Sequence, residues 1–85
     1  MAKGRTRCFK VVTRKLGREK ALGQAFAGEN FLEIDSRLRS RRRLTIMIHE
    51  MIHLEFPDIP ETKVDRASIV MANTLWKDGY RKLAK

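Results

Sequence analysis

The chain contains two histidines, His49 and His53, which stand four residues apart with Glu50 directly after the first. On an α-helix, residues four apart lie one above the other on the same face, so both imidazoles can reach one ion. Glu50 lies about a quarter-turn away, close enough to contact a water on that ion. This HExxH pattern offers two nitrogen ligands for Zn²⁺ and a general base, which is the chemistry of a metal-dependent hydrolase.

Apolar residues surround the motif and argue against a simple solvent-exposed histidine pair. They are Leu44, Ile46, Met47, Ile48, Met51, Ile52 and Leu54. A helix that is apolar on nearly every side is expected to be buried. Buried polar side chains need partners, and a shared metal ion would give both histidines one.

Length and composition predict a single domain over residues 1–85, small but able to fold alone. The one cysteine, Cys8, excludes an internal disulfide framework and fits a reducing compartment; we expect it in a strand core. No apolar run reaches membrane-spanning length, so we expect a soluble, cytoplasmic protein without a membrane partner. The oligomeric state is left open.

The net charge of +9 favours acidic partners, with nucleic acid as the foremost class. Basic residues gather in Lys3–Lys20, Arg37–Arg43 and Lys77–Lys85. No known nucleic-acid motif is present, and base-stacking aromatics are scarce on these segments. On the strength of the net charge, the alternative function is a basic nucleic-acid-binding module with a structural or vestigial metal site. Its candidate contacts are Arg37, Arg39, Arg41, Arg42 and Arg43.

The first third of the chain is predicted to form strands. Residues 8–13 are β-prone, with a helix from near Arg5 as the competing interpretation, and residues 14–20 read as a connection. Leu22–Ala27 and Asn30–Asp35 flank Gly28-Glu29 and predict a hairpin whose Leu32 and Ile34 face the core.

Two helices are predicted to follow, which gives an α+β fold. The motif helix begins after Ser40 as N-cap and ends near Glu55, where the segment from Pro57 to Pro60 breaks it. A second helix covers roughly residues 60–77. Asp58 and Glu61 would form a capping box at its start, and Gly79 would end it at C′.

A catalytic zinc usually takes three protein ligands, and here the third must be a carboxylate. Glu61 and Asp65 fall on the core-facing stripe of the second helix. That stripe comprises Val64, Ser68, Met71, Ala72, Leu75 and Trp76. A first-turn acid such as Glu61 is already explained by capping and the helix dipole, so we expect Asp65 as the ligand and Glu61 as the alternate. Asp58 and Glu55 are more distant possibilities.

The segment 44–80 resembles a compact zincin metallopeptidase, similar to small uncharacterised bacterial and phage metallopeptidases and more loosely to the ImmA/IrrE and SprT-like groups. The resembling residues are 32–35, 44–53, 56–58, 61, 64–67, 75–76 and 79–80. The resemblance implies a minimal zincin-like fold, with a sheet of two or three strands on the HExxH helix and a C-terminal helix after it. In gluzincin-like relatives a glutamate on the following helix is the third ligand, whereas the position favoured here carries Asp65.

The activity implied by this resemblance is hydrolysis of a peptide or protein substrate. Zinc lowers the pKa of a bound water, and Glu50 takes its proton and later returns it to the leaving amine. Tyr80 is a further candidate for assisting the transition state, although a tyrosine just after a helix end more often packs. By resemblance, the substrate would lie along a sheet edge formed by Asn30–Asp35.

Overall fold

Three strands and two helices make up the part of the chain that the computed structural model describes, residues 7–17 and 22–83. The elements are β1 (Lys10–Arg14), β2 (Gly23–Phe26), β3 (Phe31–Asp35), α1 (Ser40–Glu55) and α2 (Glu61–Lys77). The predicted α+β architecture is therefore confirmed. Part of the predicted connection at residues 14–20 lies outside the described residues.

The strands form one mixed sheet in the order β1-β3-β2. β2 and β3 are the predicted antiparallel hairpin, and its turn places Gly28 at φ 85° and Asn30 at φ 62°. β1 joins the other side of β3 in parallel, with Val11 opposite Leu32. The expectation that residues 30–35 form a free edge is wrong, because β3 is the central strand and its backbone groups pair on both sides.

One face of the sheet packs on α1, because alternate side chains of a strand point to opposite faces. Leu32 and Ile34 of β3 are fully buried there, as predicted. They lie against apolar side chains of α1, namely Ile46, Met47, Met51 and Leu54. On the opposite face, Glu33 accepts two hydrogen bonds from the guanidinium of Arg14, at 2.8 and 3.0 Å, and one from Gln24 at 3.0 Å.

Asp35 closes the end of β3 with four hydrogen bonds. Its carboxylate accepts 2.9 and 2.7 Å bonds from the Arg37 side chain, a 2.8 Å bond from the Arg37 backbone N–H, and a 3.1 Å bond from the Leu16 N–H. These bonds, led by the Arg37 side chain, hold the pKa of Asp35 well below its ordinary value of 3.8, although burial acts in the opposite direction. The guanidinium of Arg37 therefore stabilises the folded structure through its contacts with Asp35.

We expect this cluster to make folding acid-sensitive. Because the pKa of Asp35 is lowered on folding, its contribution to the free energy of unfolding is complete above about pH 4 and is lost as pH falls towards the folded-state pKa. Asp35→Asn should therefore lower the urea midpoint markedly near neutral pH, with a smaller difference at roughly pH 2–3. An equal difference from the wild type at both pH values would show that ionisation of Asp35 contributes nothing.

α1 lies between the sheet and α2, which explains why its sequence is apolar on so many sides. Towards α2 it contributes Ile48 and Ile52, which pack with Val64 and Ala72 in a second core cluster. Those two are the buried residues of α1, and the helix is not enclosed on every side. The prediction that the whole helix is buried therefore overestimates its burial. The two faces of α1 that contact the sheet and α2 account for the many apolar residues in its sequence.

The helix beginnings differ from the predictions. The residue at the N-cap of α1 is Arg39 rather than Ser40, and Ser40 opens the helix at φ 58°. Pro60 holds the N-cap of α2 without a side-chain hydrogen bond, so the capping box between Asp58 and Glu61 is absent. The φ of −59° at Pro60 suits the start of a helix, and the Pro60 carbonyl accepts hydrogen bonds from the N–H groups of Lys63 and Val64. The carboxylate of Glu61 is thus available for another role.

The end of α2 follows the prediction. Gly79 has φ 94° and donates to the carbonyl of Trp76, while Tyr80 donates to the carbonyl of Leu75, each at 3.0 Å. This pair of bonds is a Schellman motif, which requires a left-handed residue and so favours glycine. In the part of the chain that the structure describes, neither helix combines the length and apolar character needed to cross a membrane.

Two predicted core residues lie at the surface. Cys8 precedes β1 and is exposed, so the prediction of a strand-core cysteine is wrong. Met71 of α2 is 48% exposed because the stripe facing α1 is narrower than predicted and centres on Val64, Ser68 and Ala72.

Gly23 is required by the close contact between β2 and α1. A Cβ added there would lie 2.7 Å from Cγ2 of Ile46 and 3.1 Å from Cγ of Glu50. We expect Gly23→Ala to lower the free energy of unfolding by about 1–3 kcal/mol, the usual cost of overpacking. Gly17→Ala is the matched control, since its Cβ would have no neighbour closer than 3.9 Å. Urea denaturation measures both, and equal stability of the two variants would contradict close packing at Gly23.

Candidate metal site

A short connection between the helices brings the two histidines of α1 next to the start of α2. α1 ends at Glu55 and α2 begins at Glu61, so five residues reverse the chain direction. Ile59 within this connection packs against the core between the helices and anchors the turn. The last turns of α1, which carry both histidines, therefore lie beside the first turn of α2.

Three ligand atoms converge at this junction. Nε2 of His49 and Nε2 of His53 are 3.2 Å apart. The carboxylate of Glu61 places one oxygen 3.0 Å from Nε2 of His49 and the other 2.9 Å from Nε2 of His53. Ligands about 2.0–2.1 Å from a tetrahedral ion are separated by about 3.3–3.4 Å. The 3.2 Å between the two Nε2 atoms therefore fits two ligands of one zinc ion, and each nitrogen has a different Glu61 oxygen within 3.0 Å.

The chemistry of the three atoms also fits a cation. Nδ1 of His49 lies 3.2 Å from an oxygen of Asp65, and an N–H there would donate to that carboxylate. The neutral imidazole then presents a lone pair on Nε2, which faces the Glu61 oxygen. Two such acceptors attract each other only when a proton or a metal ion lies between them.

Asp65 occupies a different place from the one predicted. It contacts Nδ1 of His49, on the far side of the ring from the converging atoms, so the described structure brings Glu61 and not Asp65 to the two Nε2 atoms. Both carboxylates are also largely exposed, at 61% for Glu61 and 57% for Asp65. The expectation that these acids face a buried core is wrong, because the buried face of this part of α2 is formed by Val64, which lies between them in the sequence.

Glu50 lies beside the three ligand atoms without belonging to them. Partial burial raises the pKa of its carboxyl, and the nearby imidazoles of His49 and His53 oppose this rise. The backbone of Gly23 in β2 approaches its Cγ, which confines the side chain between the sheet and the histidines. The motif therefore supplies a carboxyl group of raised proton affinity next to a candidate metal position.

The structure does not bring the other predicted residues to the histidines. Tyr80 follows the far end of α2, a helix of 17 residues and thus about 25 Å long, so it lies too far from the histidine pair to assist a reaction there. Glu55 is paired with Arg7 at 2.7 Å. Asp58 lies in the exposed connection, outside the group of converging ligand atoms.

The sequence itself contained an indication that Glu61 would lie near the histidines. In two antiparallel helices joined by a short turn, the residues nearest the turn are neighbours, and Glu61 is the acid closest to it on the second helix. Asp65, one turn further along, is correspondingly level with the more distant histidine, His49. The capping role expected for Glu61 is not present, and its carboxylate faces the two histidines instead.

No protein-family model, curated protein or solved structure matches the chain.

Proposed function

We propose that this protein is a zinc-dependent peptidase of the HExxH type, with His49, His53 and Glu61 as the metal ligands. The proposal rests on one observation. The Nε2 atoms of the two histidines lie 3.2 Å apart, and each has one oxygen of the Glu61 carboxylate within 2.9–3.0 Å. Two histidines and one carboxylate are a common ligand set of catalytic zinc. The metal supplies Lewis acidity, lowering the pKa of a bound water towards about 7 and polarising a carbonyl.

Each neighbouring carboxyl has a distinct role in this proposal. Glu50 accepts a proton from the attacking water and delivers it to the leaving amine, for which its raised pKa is suited. Asp65 holds the His49 ring through Nδ1, fixing the tautomer that leaves Nε2 free to bind metal. In this arrangement Asp65 is a positioning residue rather than a ligand.

The site is open enough for a polypeptide substrate. The side chain of His53 is 28% exposed and that of Glu61 is 61% exposed, so the ligand atoms are accessible from solvent. Among the described strands, β2 is the edge strand that approaches Glu50, through Gly23. The free edge of β2 replaces β3 as the place where an extended substrate would pair through its backbone.

Incubation with a complex peptide library tests the proposed function. The zinc-loaded protein, purified without a histidine tag, should generate new peptide termini detectable by mass spectrometry. The same protein stripped by a chelator should not, and zinc should restore cleavage. A zinc-loaded protein that leaves the whole library intact would contradict a peptidase while leaving the metal site itself in place.

A further inference from the structure

A second groove lies at the opposite end of α2 from the histidines. It has a volume of about 990 Å³ and is bounded by β1, the first turns of α1 and the segment that follows α2. The groove exists because α1 packs against β2 and β3, which leaves Val11 of β1 38% exposed on the same face of the sheet. None of its lining residues belongs to the candidate metal site.

Among the charged side chains that the structure describes, only cationic ones line the groove. Arg39, Arg43, Arg81 and Lys82 face it, and no acidic residue of the described chain lines it. A neighbouring groove shares Arg39 and adds Arg41 and Arg42, and none of the residues described as lining it is acidic. The fold therefore joins two of the basic segments of the chain into one continuous positive surface.

Aromatic side chains stand among these cations. Trp76 lines both grooves, and the Arg81 guanidinium carbon lies 3.4 Å from the centroid of its ring system. Tyr80 is 60% exposed beside it. The sequence alone gives little sign of this, because more than thirty residues separate these aromatics from the arginine run. Flat aromatic and guanidinium surfaces between cations are the elements with which proteins hold unpaired bases.

We propose that this groove binds single-stranded nucleic acid. The phosphates contact Arg39, Arg43 and Lys82, while bases stack on Tyr80 and on the Arg81–Trp76 pair. A duplex offers no exposed base faces for the aromatic rings, and an acidic peptide would use the charges but not the stacking surface. Arg37 takes no part, because its guanidinium is bound to Asp35.

A titration of the full-length protein with fluorescein-labelled oligothymidylate tests the proposal. Fluorescence anisotropy should show binding at low salt. The logarithm of the affinity should fall linearly with the logarithm of the salt concentration, with a slope of about −2 for three contacted phosphates at about 0.7 each. No binding at low salt would overturn the proposal.

Matched variants locate the site. The double variant Arg39→Gln/Lys82→Gln should make the slope shallower by about 1.4, at about 0.7 for each lost phosphate contact. The control Lys10→Gln/Lys63→Gln removes the same charge from exposed positions outside the groove and should change the slope less. An equal change in both double variants would mean that binding is not located in the groove.

Replacement of Tyr80 separates stacking from charge. Tyr80→Ala should weaken oligothymidylate binding about tenfold, and Tyr80→Phe should retain it, since base stacking needs the ring and not the hydroxyl. Unchanged binding by Tyr80→Ala would show that bases do not stack on this ring and would overturn the proposed binding of unpaired bases. Equal or tighter binding of duplex DNA, or of a polyglutamate of the same charge, would assign the groove to a different polyanion and overturn the proposal.

Discussion

Replacing Glu61 with glutamine is expected to lower the zinc affinity of the chain by more than about 100-fold. The carboxylate contacts Nε2 of both histidines at 2.9–3.0 Å, and a neutral amide is a much weaker zinc ligand in its place. The loss should exceed the factor of about 10–100 by which metal affinity typically falls when a residue that hydrogen-bonds to a metal ligand is removed. Competition with a chromophoric chelator measures the affinity, and circular dichroism shows that the variant is folded.

Two further variants distinguish ligation from general electrostatics. Asp65→Ala removes the partner of Nδ1 on His49 and should cost about 10–100-fold in zinc affinity. Glu55→Gln removes one negative charge from the end of α1, where the carboxylate pairs with Arg7, and should leave the affinity nearly unchanged. If Asp65→Ala released zinc and Glu61→Gln retained it, the ligand assignment would be reversed.

Replacing Glu50 with glutamine should abolish peptide hydrolysis while zinc stays bound. Glutamine preserves the volume between Gly23 and the histidines but cannot accept a proton, and general base catalysis typically contributes about 10²–10⁴-fold. Zinc binding should persist because Glu50 supplies none of the three converging atoms. The rate of product formation from a cleaved library peptide measures the effect, with zinc content determined on the same sample.

Glu55→Gln again serves as the control for this substitution. It lies on the same helix, undergoes the same chemical change and should hydrolyse the peptide at the wild-type rate. Hydrolysis by Glu50→Gln at the rate of the control would eliminate Glu50 as the base. Loss of zinc from Glu50→Gln would instead give this residue a direct part in holding the metal.

The helices and the hairpin were predictable because their signals are local. The ends of α1 and α2 are mostly predicted to within one residue. The signals are the apolar spacing, the proline-containing break after Glu55 and the glycine at position 79. The turn at Gly28 likewise gives the β2–β3 pair. Hydrophobic periodicity and turn chemistry are short-range properties that the sequence displays directly.

The errors concern contacts between distant segments. Parallel pairing of β1 with β3 turns a predicted edge strand into the central one, and no local pattern specifies that partner. Glu61 and Asp65 share a helical stripe, so periodicity alone could not separate them. Their roles depend on where the α1–α2 turn places each carboxylate relative to the two rings. The meeting of Trp76 with the arginine run is likewise a product of tertiary packing.

The zinc content of the protein, purified without a histidine tag and measured by native mass spectrometry, tests the central claim most directly. One zinc ion per chain is expected, because the described residues contain one such group of ligand atoms. A chelator should remove the ion, and added zinc should restore it. The folded variant His49→Ala/His53→Ala should hold none. A wild-type chain that stays metal-free in excess zinc, or a double variant that still binds one ion, would contradict a metal centre at this site.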